Sequence, residues 1–165
     1  MLKKIKHYLK EIIIFIVFIT IFANGLSLYK SSDLNKEPLN ITNITLLDGT
    51  KYNLSNTKPT LIHFWAIWCP TCKLEASNIQ SISSNYEVIT VAVKSGSNKD
   101  INNWLKENEY DFNVLNDESG FISSNFNISV FPTTFIYDKN KNLVFSDVGY
   151  TSTWGLMLRM WWASL

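Results

Sequence analysis

The sequence predicts an α/β domain with a mixed central sheet flanked by helices, held behind one apolar N-terminal helix. Three observations carry that reading. Residues 61–67 are a short apolar run rich in β-branched and aromatic side chains, bounded upstream by Pro59, and read as a central strand. That strand runs into Cys69-Pro70-Thr71-Cys72 and an amphipathic segment ending near Ser83, and residues 87–93 then supply a second, parallel strand. Finally, residues 133–137 and 143–148 flank the polar turn 138–142, which makes an antiparallel pair that closes the sheet.

The chain of 165 residues allows one domain plus a tail, and its 46% apolar content suffices for a core. Residues 12–29 are almost continuously apolar, follow four lysines, and precede no A-x-A cleavage site. They read as an uncleaved transmembrane anchor with a cytoplasmic basic segment at 1–11; a cleaved leader ending near Ala23 or Gly25 is the competing reading. Residues 30–40 are polar and read as a tether, leaving 41–165 as the folded domain on the far side of the membrane. The domain opens with a hairpin, residues 41–47 and 51–54 around Asp48-Gly49. Asp100 reads as the N-cap of a helix carrying Ile101, Trp104 and Leu105. Residues 112–115 then form a strand and 119–126 a helix whose Phe121, Ile122 and Phe126 point inward. The last segment, 153–165, is apolar all round; such a helix is buried, or it meets a membrane or a partner.

Charge excludes one class of partner. Beyond residue 30 the chain holds 10 basic and 13 acidic residues, so the folded part offers no basic face for nucleic acid. Both cysteines sit in one CxxC, which leaves no thiol for a four-ligand metal site and favours redox chemistry over a structural bridge. Lys73 follows Cys72 where covalent haem attachment needs histidine.

The local geometry assigns the two thiols different roles. Proline has no amide hydrogen and a preset φ, so Pro70 suits the first helical position and puts Cys69 at the helix N-terminus. Unpaired N–H groups and the helix dipole there favour a thiolate, which makes Cys69 the nucleophile. At about 100° per residue Cys72 projects with Ala76, Ile79 and Ile82 toward the sheet. It is placed to resolve a mixed disulfide formed on Cys69.

The strand, Trp65, Trp68, the Cys69-x-x-Cys72 pair and the following helix resemble thioredoxin. The segment around Gly49, together with Glu75, Phe131-Pro132-Thr133 and Gly149-Tyr150-Thr151, resembles more closely the membrane-anchored extracytoplasmic branch that includes TlpA, ResA and CcmG, with ScsD-like disulfide oxidoreductases nearest. The resemblance implies a thioredoxin-like fold in which the N-terminal hairpin precedes the core and a βα insertion distinguishes the branch. It implies a protein-disulfide oxidoreductase of the inner membrane, single-pass and facing the periplasm. No organic cofactor or metal is required; electrons come from a transmembrane donor of the DsbD or CcdA type.

The resemblance also bears on single residues. It implies a cis bond before Pro132, where the residues alone leave a trans proline at a strand start equally open. Phe131, Pro132 and Thr133 would then align an extended substrate beside the dithiol, with Trp68 and Pro70 shaping the surface around Cys69. Glu75 projects at the margin of the buried stripe; it is a partly buried acid that moves the Cys72 proton, or a solvated first-turn acid. His63 stands where thioredoxin has a buried aspartate, and three readings stay open: a neutral relay, a protonated group lowering the thiol pKa values, or a plain core residue. The favoured direction is reduction, as in cytochrome-maturation relatives. The alternatives are a disulfide oxidase, or a binding protein in which the two thiolates hold Cu(I) or a thiol-rich partner without turnover, against which only Met157 and Met160 downstream offer further soft ligands.

Overall fold

The computed structural model describes residues 2–41 and 43–165. Leu2–Lys30 form one helix, α1, long and apolar enough to cross a membrane. The short hairpin β1 (Asn43–Thr45) and β2 (Lys51–Asn53) follows. Its strands are shorter than the sequence suggests, and Thr42 lies outside the described residues. The turn begins at Leu46, whose carbonyl accepts the Gly49 N–H and whose N–H donates to Thr50 O. The Asp48 side chain accepts the Thr50 N–H, and Gly49 takes φ +83°, the left-handed conformation that glycine adopts without penalty.

The sheet is built next. β3 (Thr60–Trp65) leads through α2 (Pro70–Ser83) to β4 (Glu87–Val93), and α3 (Asn98–Glu107) leads on to β5 (Val114–Asp117). After α4 (Phe121–Asn125), β6 (Thr133–Tyr137) and β7 (Leu143–Val148) run antiparallel, and α5 (Thr153–Ala163) closes the chain. The strand order is β5-β4-β3-β6-β7, parallel across β3, β4 and β5 and antiparallel across β3, β6 and β7. This is the mixed sheet of a thioredoxin-like α/β fold. β3 is its middle strand and every residue of it is buried, which explains its unbroken apolar sequence.

Alternation along β3 divides the core. Leu61 and Trp65 face one layer, packed with Ile79 and Ile82 of α2, Ile101 and Leu105 of α3, and Leu156 and Met160 of α5. Ile62 and Phe64 face the other, against the hairpin, α4 and the segment before the hairpin.

Four sequence expectations change in this frame. The 30–40 stretch is not a free tether along its length, because Leu34 and Leu39 are buried in the second layer and Leu39 N–H donates to Lys141 O. Leucine in a polar run was the missed signal; each such side chain contributes roughly 1.5–3 kcal/mol on burial. The cap of α3 is Ser97, with Asp100 three residues on completing the reciprocal bonds of a capping box. β5 starts at Val114 rather than 112. Phe121 is exposed: the Asp117 carboxylate accepts the N–H groups of Ile122 and Ser123, which starts the short helix with Phe121 on its outer side.

Candidate active site

Cys69 is the N-cap of α2, in extended backbone, with Pro70 at the first helical position. Its N–H donates to Ala66 O at 3.1 Å and its carbonyl accepts the Lys73 N–H at 3.2 Å. The Cys72 N–H donates to Cys69 Sγ at 3.2 Å. A helix-start amide thus points at the sulfur, and a hydrogen bond to the charged form lowers a thiol's pKa. Cys69 and Cys72 are joined as a disulfide with Cα atoms 5.3 Å apart. Cys69 is 5% exposed and Cys72 1%, while Pro70 between them is exposed.

The rim is tied together from three loops. Trp68 is exposed, yet its indole N–H donates to Lys94 O at 3.1 Å and its ring meets Phe131 edge-on with centroids 5.6 Å apart. The Ile67 N–H donates to Ser95 Oγ, which anchors the turn after β3 to the end of β4. Phe131 packs against the cluster that holds both cysteines. The Phe131–Pro132 bond is cis. Pro132 and Thr133 are buried, the Pro132 carbonyl accepts the Gly149 N–H at 2.8 Å, and Thr133 Oγ1 donates to Val130 O.

Polar and ionisable groups also lie inside the domain. Glu75, one turn after Cys72, is fully buried rather than marginal. One carboxylate oxygen accepts the Thr151 N–H at 3.2 Å and the other has no hydrogen-bond partner among the described residues. Burial pushes its carboxyl up to about 8, against the Thr151 N–H and with help from the charge of Asp147. This sets aside the solvated first-turn acid. Asp147 is itself raised by burial and opposed by Arg159, whose guanidinium Nε lies 2.9 Å from its carboxylate. His63 is buried, its Nδ1 2.9 Å from Thr134 Oγ1, and burial pushes it down to about 3. The imidazole is therefore neutral at working pH, and the protonated reading is corrected by the cost of a charge in the buried interior.

Three of these residues escaped the sequence reading. Thr134 pairs with His63 across β3 and β6, and Asp147 lies opposite Thr134 on β7. Arg159 is the only arginine in the chain and sits in an apolar helix, as Asp147 sits in a mostly apolar strand. Two isolated opposite charges in apolar elements were a legible sign of a partly buried pair. Met160 is buried in the cluster that also holds both cysteines, and Met157 is exposed. Among the described residues no group of three or more His, Cys, Asp or Glu is placed to hold a metal ion.

Comparison with known proteins agrees with this geometry. Residues 38–146 match the AhpC/TSA family. A thioredoxin-like protein of Haemophilus influenzae is 35% identical over 160 residues, covering 87% of this chain and 95% of its own. The sporulation thiol-disulfide oxidoreductase A of Bacillus subtilis is 27% identical over 111 residues, 62% of this chain and 67% of that protein. Among solved structures, the exposed lipoprotein thioredoxin Etrx1 of Streptococcus pneumoniae superimposes with a TM-score of 0.64 at 26% identity, over 72% of this chain and 96% of that one.

Proposed function

Since the chain belongs to the AhpC/TSA family and is a thiol-disulfide oxidoreductase of thioredoxin-like fold, we propose that it reduces protein disulfides from an anchored, extracytoplasmic position. The observation that carries this is Cys69 Sγ at the N-cap of α2, accepting the Cys72 amide, with Cys72 turned inward one helical turn from buried Glu75.

In the reduced protein the Cys69 thiolate attacks one sulfur of the substrate disulfide. A mixed disulfide forms and the other substrate sulfur leaves as a thiolate, taking a proton. Cys72 then gives its proton to the ionised fraction of Glu75 and attacks Cys69 Sγ, releasing the second substrate thiol and leaving the Cys69–Cys72 disulfide. Two electrons pass from the dithiol to the substrate. Burial lifts the Glu75 carboxyl well above the usual carboxylate range, which suits it to take and return a thiol proton. Neutral His63, fixed by Thr134, is a positioning residue of the buried interior.

Trp68 and Pro70 border the entry to Cys69. Phe131 and Thr133 flank the cis bond; with the Pro132 carbonyl already taken by Gly149, pairing with an extended substrate falls to the Phe131 side. The cycle uses no organic cofactor or metal. It closes when a transmembrane dithiol donor of the DsbD or CcdA type reduces Cys69–Cys72, and α1 would hold the domain beside such a donor. Equilibration with glutathione or a stronger dithiol tests the direction. A potential near or below roughly −250 mV supports a reductase, whereas one towards about −120 mV makes the protein an oxidant.

A further inference from the structure

α5 has two apolar faces, and the core uses one. Leu156, Met160 and Ala163 pack inward. Trp154, Met157, Leu158, Trp161, Trp162 and Leu165 form a second stripe at spacings of three and four residues, which places them along one side of the helix. Trp154 is 75% exposed, Leu158 64% and Trp162 61%, and the stripe contains no charge. A contiguous uncharged face of this kind marks an interaction site.

The neighbouring anchor identifies what covers it. Ser27 Oγ of α1 accepts the Val148 N–H at the end of β7, and Ile19, Thr20 and Asn24 of α1 line a groove of about 790 Å³ with Gly155 and Arg159 of α5. Thr20, Asn24 and Ser27 recur every three or four residues, so the polar edge of α1 is turned to the domain. From Thr20 to Lys30, the end of the helix, the rise is about 15 Å at 1.5 Å per residue, half of a hydrocarbon core of about 30 Å. The groove therefore sets α5 beside the C-terminal half of α1, on the side where that helix meets the domain. Tryptophan is the residue that membrane–water interfaces enrich, its ring being apolar and its N–H polar.

We propose that α5 is a second membrane contact: an in-plane helix whose Trp154, Leu158, Trp161 and Trp162 side enters the outer leaflet beside α1. The occupant is lipid, and the inference rests on the reading of α1 as a membrane anchor. With two contacts the domain has a set orientation on the bilayer instead of swinging from a single helix.

The test uses the full chain in vesicles of phosphatidylcholine and phosphatidylglycerol, with and without acyl-chain bromination, compared with W154F/W161F/W162F. Bromine quenches indole emission on contact, and α1 holds no tryptophan. The native chain should lose emission in brominated vesicles, and that loss should disappear in the triple variant while disulfide reduction is retained, which also shows the variant to be folded. A chain that resists alkaline extraction yet shows no quenching, or equal quenching in the variant, overturns the inference and leaves the anchor standing. A native dimer that the variant converts to monomer overturns it too, assigning the stripe to a second copy. Release by alkali defeats the anchor and the inference together.

Discussion

Replacing Glu75 with glutamine should remove a defined slope from the stability curve of the oxidised domain. Folding lifts the Glu75 carboxyl from 4.5 to about 8, chiefly by burial. Between those values the unfolded chain has released a proton that the native state keeps. The contribution is therefore full below 4.5 and is lost as pH rises through about 8. At about 1.4 kcal/mol per unit the loss amounts to roughly 5 kcal/mol. His63 acts in the opposite sense: folding holds its imidazole down from 6.5 to about 3, so its contribution is present above 6.5 and lost as pH falls. From 4.5 to 6.5 the slopes of these two groups oppose each other. From 6.5 to about 8 the Glu75 contribution is no longer offset by His63 and falls by about 2 kcal/mol.

Glutamine keeps the acceptor for the Thr151 N–H and does not titrate. In E75Q the Glu75 slope should be missing, so stability relative to the native fragment should rise by about 1.4 kcal/mol per pH unit between 4.5 and about 8. Asp147, also raised by burial, titrates in both proteins and drops out of the difference. Urea unfolding of a fragment starting at Ser31, followed by tryptophan emission across this range, reads both curves. Parallel curves for E75Q and the native fragment would refute the buried, protonated carboxyl.

Two further predictions concern neighbouring residues. Leu39→Ala should cost about 2–4 kcal/mol in the same unfolding assay, as a buried leucine does, whereas loss confined to a free tether would cost nothing. Asp147→Asn removes a charge that raises Glu75, so the alkaline fall in stability should move to lower pH; an unmoved curve means that the two carboxyls do not interact.

Much of this was legible in the sequence because local chemistry and fold agree there. Pro70 after Cys69 fixed the helix start, and the unbroken run through Leu61 and Phe64 marked the middle strand. The illegible parts depend on contacts between distant elements. Whether Glu75 is marginal or buried depends on the loop at Thr151 that meets it, and 76 residues separate Glu75 from the amide that it binds. His63 could be read as charged or neutral until the fold showed it buried, with a hydroxyl beside Nδ1. Asp100 mimicked a cap because capping boxes place acids and caps three residues apart. Leu34 and Leu39 looked like tether residues because their burial depends on the far sheet face.

Trapping tests the division of labour between the thiols most directly. Full-length Cys72→Ser and Cys69→Ser proteins, produced in cells, are quenched with acid, alkylated and separated without reductant. Cys72→Ser should accumulate mixed disulfides with client proteins that dithiothreitol releases, and Cys69→Ser should accumulate none. Adducts on Cys69→Ser alone would contradict the account, making the inner sulfur the nucleophile; adducts on neither would deny exchange with protein thiols.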